Sequence, residues 1–260
     1  MSVTYEVRHD VAVITLDRPE RFNAVTQDLS EGLVSSLARA GEEARAAVLT
    51  GAGKAFCSGA DLSDLMDDYG RGGPDLDPVI ARRFNPMVEA LLACEVPTVA
   101  AVNGAAAGAG MGLALACDLR VMGESAFFLS AFVGLALIPD TGSTWLLRHH
   151  LGLSRAIEFT YSNRRMPAAE AKDLGLASDV VPDGEVVDRA REVAAGLAEG
   201  PTDAYVATRR LLVGAGHAEP PVALAEERRI QAELGTSPAH LEGMRAFLEK
   251  RPPDFRNPAT

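Results

Sequence analysis

Cysteine, tryptophan and histidine are scarce in this chain: three, one and five among 260 residues. The thiols, Cys57, Cys94 and Cys117, are odd in number, form no C-x-x-C pair and stand in apolar or glycine-rich settings. That excludes a disulfide framework and fits buried thiols in a reducing cytoplasm. The histidines make neither H-E-x-x-H nor a Cys/His ligand set, so no metal centre is expected, and His149-His150 reads as a solvated or packing pair. Basic tracts are also missing. With 25 Lys and Arg against 36 Asp and Glu, the net charge is −11, which argues against nucleic acid as a partner. No apolar run reaches the length of a membrane span, and the N-terminus lacks the basic and apolar blocks of a signal peptide.

What is present is a recurring strand, turn and helix. Val11 to Leu16 alternates like a strand and stops at Arg18-Pro19, and Thr26 caps a helix with the stripe Leu29, Leu33, Val34, Leu37. Ala46 to Thr50 and Pro97 to Val102 read as buried strands. Asp61 to Asp68, Met87 to Ala93 and Ala106 to Ala116 read as helices, and Gly70 to Pro78 as a mobile loop. From about Leu153 the pattern turns helical: 154–161, 168–174, 186–199, 202–213, 222–234 and 238–250, with one short strand at Asp179 to Val181. Pro252-Pro253 to Thr260 reads as a tail. The class is α/β.

Two glycine-rich turns carry the chemistry. One spans Ala55-Phe56-Cys57-Ser58-Gly59-Ala60-Asp61-Leu62, the other Val102-Asn103-Gly104 to Gly108-Ala109-Gly110. Each follows a predicted buried strand and leads into a predicted helix, so its amides sit unpaired at a positive helix N-terminus and attract an oxyanion. Two such turns converging would hold a thioester oxygen as enolate charge develops; taken singly, each is equally a tight strand-to-helix turn packed with small residues. The carboxylates Asp61, Asp64, Asp67 and Asp68 suit a helix start better than a metal. Gly51-Ala52-Gly53 lacks the third glycine of a dinucleotide loop, and Ser58 and Ser143 lack the G-x-S-x-G elbow.

In this order the two segments resemble those of the crotonase (enoyl-CoA hydratase/isomerase) superfamily. So do Leu16-Asp17-Arg18-Pro19 with Asn23-Ala24, Ile138-Pro139-Asp140, and Ala246-Phe247-Leu248-Glu249-Lys250-Arg251. The resemblance covers nearly the whole chain. It implies a spiral ββα core over 1–195 that binds acyl-CoA and a C-terminal helical region over 196–260 that mediates a homotrimer or a hexamer. It implies that Ala60 and Ala109 supply the oxyanion amides, and that Arg21, Phe22 and Ala24 border the CoA. Ser58, Gly59, Ala60, Asp61 and Leu62 would line its bound arm, while Phe247 and Lys250 reach a neighbouring subunit's nucleotide. For a polyanionic ligand on an acidic protein, the local cations to follow are Arg18, Arg21, Lys54 and Lys250. CoA arrives as part of the substrate, and no other cofactor is implied.

In family hydratases the positions of Gly112 and Phe132 are glutamates that manage water and protons, and neither residue here carries a proton. The remaining candidate is Asp140, which reads either as the cap of a following helix or as the proton carrier. Resemblance favours the second: ring-1,2-epoxyphenylacetyl-CoA isomerases, which also share the pattern of Arg83 to Pro86 and Thr144 to Leu147, use this aspartate as acid and base. One carboxylate suffices to move a double bond or open an epoxide, whereas hydration ordinarily calls for two. The expectation is therefore an acyl-CoA isomerase. A hydratase working through Asp140 alone and a non-catalytic acyl-CoA-binding protein are the alternatives.

Overall fold

Val3–Arg8 (β1) and Val11–Leu16 (β2) form an antiparallel hairpin. Its two turn residues, His9 and Asp10, both have positive φ (51° and 63°), the turn whose twist matches that of the strands it joins. The computed structural model describes residues 2–61, 63, 73–215 and 219–258. Beyond the hairpin the chain three times lays one strand in a large sheet and then a short one in a second sheet. These pairs are β3 (Ala46–Gly51) then β4 (Ala55–Cys57), β5 (Thr98–Val102) then β6 (Ala105–Ala107), and β7 (Leu119–Gly123) then β8 (Phe127–Leu129). Arg165–Pro167 (β9) completes the second sheet and Asp179–Val181 (β10) the first. The large sheet runs β1-β2-β3-β5-β7-β10, parallel from β2 onward, and the second runs β4-β6-β8-β9. This is the expected spiral.

Both faces of the large sheet are buried at its centre, which is why β3 and β5 read as continuous apolar runs, whereas the edge strand β1 is largely exposed or half-buried. One face, with Ile14, Leu16 and Leu49, packs on Leu29, Leu33 and Leu37 of α1 (Gln27–Glu43). The Thr26 hydroxyl caps this helix by accepting from the Leu29 amide, as the sequence suggests. A short helix α2 (Leu76–Val79) and a π-helical turn lead into α3 (Asn85–Ala93), which lies against α1. Wholly buried between the sheets and the outer helices is α4 (Ala109–Ala116). Then come α5 (Ser143–Leu151), α6 (Leu153–Ser162) and α7 (Ala168–Asp173). The opposite face, with Val13, Val48 and Val99, is covered by α8 (Val186–Ala198), whose stripe Val186, Ala190, Ala194, Ala198 repeats every four residues and keeps helix and sheet close. The chain ends in α9 (Thr202–Ala215), α10 (Pro220–Leu234) and α11 (Pro238–Glu249), and α10 buries none of its described side chains.

Three expectations change. Ala106 to Ala116 is not one helix: Ala105–Ala107 is strand β6, held by its partners β4 and β8, and a run of three alanines carries no periodicity of its own. Leu76–Val79, expected as loop, is helical because the Asp75 carboxylate accepts from the Asp77 amide; residues 70–72 and most of the helix expected at Asp61 to Asp68 lie outside the described residues. The final segment is not free. Arg45 donates to the carbonyls of Ala198, Gly200 and Phe255, Arg256 pairs with Asp10 and Glu199, and Arg251 makes a two-armed pair with Glu242.

Candidate active site

The two glycine-rich turns meet. Strand β4 pairs in parallel with β6, and each runs directly into its turn. In the first turn Val25 forms a parallel bridge to Ala60: the Val25 amide donates to the Gly59 carbonyl (2.7 Å) and the Asp61 amide to the Val25 carbonyl (3.2 Å). Such a bridge occupies residues 59 and 61 and leaves the Ala60 amide pointing away from Val25. Ala109 opens α4, where the first amides have no carbonyl behind them. Neither amide donates to a protein group among the described residues. Gly59, at φ 94°, brings the turns together: a Cβ there would lie 3.5 Å from the Ala109 nitrogen and 3.0 Å from the Ala107 carbonyl oxygen. Gly110 is equally constrained, since a Cβ would overlap the Cys57 carbonyl.

The segment 21–25 runs beside the first turn, as the Ser58 amide bond to the Phe22 carbonyl (3.0 Å) shows. Arg21, Phe22 and Ser58 are exposed there, Phe22 by 56 %, while Ala24 and Gly59 are buried. Asn23 holds this arrangement. Fully buried and at φ 57°, it donates to the carbonyls of Ala52, Ala55 and Phe56, which locks the Phe22–Ala24 turn onto β4. The motif reading placed Asn23 beside Ala24 but gave it no role. Arg18 is not available as a free cation, because its guanidinium bonds Asp61 (2.9 Å) and the Ala24 carbonyl (2.6 Å). Asp61 is correspondingly buried. The Ser63 hydroxyl first, then Arg18, hold its carboxyl below the usual range against the opposing effect of burial. Asp61 thus offers the site its backbone. Leu62 lies outside the described residues. Lys54 is exposed. Phe247, 77 % exposed, and Lys250, a left-handed cap at φ 56°, project from the end of α11 within one chain.

Asp140 does not cap a helix. The residue before α5 is Gly142, with no side-chain cap, and the Asp140 carboxylate accepts instead from the Thr141 hydroxyl (2.6 Å). Burial pushes its carboxyl above the usual carboxylate range, partly offset by that hydroxyl. Thr141 is buried at φ 52°, a costly conformation for a β-branched residue and the kind of local strain that collects at functional sites. The loop is seated on α4: a Cβ on Gly112 would overlap the Thr141 carbonyl oxygen and come within 3.1 Å of Ser143 Oγ. Gly112 is one helical turn from Ala109, so the aspartate's own loop abuts the helix that carries the second amide. Phe132 closes the other side, its Cζ 3.8 Å from a Cβ placed on Gly108. At the far end of α4, the buried Arg120 donates to the Cys117 carbonyl (2.6 Å) and to that of Leu176, a positive charge at a helix C-terminus.

The protein matches the family model for enoyl-CoA hydratase/isomerase over residues 6–258. This chain belongs to that family. It is 44 % identical over 255 residues to a Rhodobacter capsulatus protein named "Probable enoyl-CoA hydratase", covering 98 % of this chain and 97 % of the relative. It is 37 % identical over 251 residues to the 1,2-epoxyphenylacetyl-CoA isomerase of Escherichia coli, covering 96 % of each. The crystal structure of an enoyl-CoA hydratase from Bacillus anthracis superposes with a TM-score of 0.88 at 32 % identity, over 97 % of this chain and 98 % of that one. The fold is therefore that of the crotonase superfamily, and the chain is an enzyme of the enoyl-CoA hydratase/isomerase family. Among the described residues no helix is long and apolar enough to cross a membrane.

The remaining reactive groups stand apart from acyl transfer or thiol chemistry. Burial pushes the Cys57 and Cys117 thiols up to about 12, and Cys94 is raised as well. In this family member all three thiols should stay unmodified by iodoacetamide at pH 8 while the protein is folded. Intact-mass analysis should show adducts only after denaturant is added; rapid labelling of native protein would contradict the burial. His150 is pushed down to about 4 by burial and then by Arg120, so it is neutral at ordinary pH. Its ring faces the Leu115 carbonyl (3.3 Å), and the exposed His149 lies against Trp145 with the ring centroids 4.8 Å apart and the planes tilted by 39°. Of the pair read as solvated or packing, His149 is exposed and His150 is half-buried.

Proposed function

We propose that this family member is an acyl-CoA isomerase in which Asp140 moves a proton while the Ala60 and Ala109 amides hold the thioester enolate. The observation that carries this reading is the way Gly112 is filled. The Thr141 backbone occupies the space a side chain there would need, and the other hydratase position holds Phe132, so Asp140 remains as the proton-carrying side chain at these positions. For a 3-enoyl-CoA, Asp140 removes a proton from C2, the electrons move onto the thioester oxygen between the two amides, and the Asp140 carboxyl, in exchange with solvent, returns a proton to C4. No water is gained or lost. A raised carboxyl pKa suits a base working near neutrality. The relative that acts as an epoxyphenylacetyl-CoA isomerase supports a ring-epoxide substrate as the other member of this substrate class.

The substrate's CoA would run along Arg21, Phe22, Ala24 and the Ser58–Asp61 turn. Phe247 and Lys250 would meet it from a neighbouring copy in a homotrimer, an assembly that also gives the exposed C-terminal helices a partner. The reaction draws on no cofactor beyond the CoA of the substrate. The test is product analysis by mass spectrometry in heavy water with 2-enoyl-, 3-enoyl- and epoxyphenylacetyl-CoA esters. Rearrangement without addition of water, with deuterium entering the carbon chain, is the expected result. Gain of one water at enzymatic rates would instead make the protein a hydratase, and binding with neither change would make it a carrier of acyl-CoA.

A further inference from the structure

Between β8 and α5 lie residues 130–142, the thirteen that carry both Phe132 and Asp140, and much of that stretch has little to hold it. Gly134, Leu135, Ala136, Leu137 and Ile138 are exposed, Ile138 by 80 %. Several of its backbone bonds are internal: the amides of Leu135 and Leu137 donate to the Phe132 carbonyl, and that of Ala136 to Val133. Its far end rests on Gly112. Its near end is gripped by a residue from another element. The Asn163 side chain, at the end of α6, accepts through Oδ1 from the Ala131 amide (3.0 Å), and its Nδ2 lies so close to Gly134 that a Cβ there would be 2.7 Å away. Ala131 is itself at φ 67° and Asn163 at φ 47°, both left-handed. A left-handed alanine has no side chain with which to satisfy its own backbone, so the Asn163 bond is what fixes where the chain turns before Phe132.

We infer that Asn163 is a positioning residue that sets the Phe132–Asp140 loop against the oxyanion turns. The inference rests on the proposed proton-moving role of Asp140 for its catalytic consequence, while its structural part stands independently. Asparagine suits both demands, tolerating the left-handed region and presenting an acceptor toward Ala131. Glycine meets only the first demand and aspartate meets both, so the two substitutions separate backbone comfort from the bond itself.

The experiment compares Asn163→Gly, Asn163→Asp and Gly134→Ala with the wild type in the full-length protein. Asn163→Gly keeps a comfortable backbone but loses the bond. Gly134→Ala, at a position without positive φ, pushes the Asn163 amide aside and leaves residue 163 intact. In both, amide hydrogen exchange of 131–138 should accelerate while that of 55–61 and 105–116 stays unchanged. Turnover of the acyl-CoA that proves to be the substrate should fall in kcat by about 10- to 100-fold, as small misplacements of a reacting group do, with KM held within about threefold. Asn163→Asp should retain wild-type exchange and most of kcat. Unchanged exchange over 131–138 in both loosening variants would overturn the positioning role, whatever the activity. Accelerated exchange with undiminished kcat would overturn its catalytic consequence. If the wild type shows no Asp140-dependent turnover, the isomerase reading fails on its own, and the exchange data alone decide the role of Asn163.

Discussion

Replacing Asp140 with asparagine leaves the affinity for CoA esters in place and removes turnover, by a factor on the order of 10²–10⁴, the contribution of a positioned acid–base group. The amide is nearly isosteric and can still accept from the Thr141 hydroxyl, so the loop keeps its seat on Gly112. Stability should move in the opposite direction to activity. The folded-state pKa of Asp140 is raised, so its contribution to stability is fully present below the unfolded value and is lost as pH rises through the folded one. At neutral pH the buried carboxylate is therefore a net cost, and Asp140→Asn should melt at or above the wild-type temperature there. That advantage should shrink as pH falls toward the ordinary carboxylate range. Wild-type turnover should decline on the acid side with an apparent pKa above that range. Calorimetry across pH and initial rates with the identified substrate check both. Undiminished turnover in the variant would remove Asp140 from the reaction.

Introducing the two glutamates of family hydratases should not raise hydration by this protein. Gly112→Glu must displace the Thr141 backbone, which overlaps the position of any Cβ, and the atoms in the way are main chain and cannot rotate aside. Overpacking of this kind costs roughly 1–3 kcal/mol, and more where backbone is the obstacle. At about 2–4 °C per kcal/mol for a chain of this size, the melting temperature of Gly112→Glu should drop by several degrees. The displaced loop carries Asp140, so isomerase turnover should collapse at the same time. On the proposed isomerase reading, the double variant with Phe132→Glu should hydrate crotonyl-CoA no better than the wild type. Phe132→Glu alone should fold, because that side chain is only half-buried. Hydratase activity in the double variant well above that of the wild type would show that the loop yields and that the filled space at Gly112 is no barrier to hydration.

Long elements and the chemistry-bearing turns were legible from residue pattern, and local physics explains why. The helix after Thr26 has a cap and a stripe, and Asp179–Val181 is a short β-branched run that the structure places in the large sheet with the same bounds. The second sheet was not legible. Its strands are three residues each, too short for a period of two to register, and they exist because the neighbouring coil supplies a partner. The same reason hid Asn23 and Asn163. Each acts across the fold on main-chain groups, Asn23 on residues 52, 55 and 56 and Asn163 on 131, and a lone asparagine beside a turn gives no sign of such a reach. Arg18 reads as a ligand-seeking cation until its buried partner Asp61 is seen. The filling of Gly112 needed Thr141, 29 positions along, to be visible at all.

The lateral pairing of β4 with β6 acts as a ruler. Ala60 follows β4 by three residues and Ala109 follows β6 by two, so the spacing between hydrogen-bonded strands, about 4.8 Å, is what brings the two turns side by side. The main chain therefore sets how closely the turns approach, and the missing side chains of Gly59 and Gly110 leave the room for that approach.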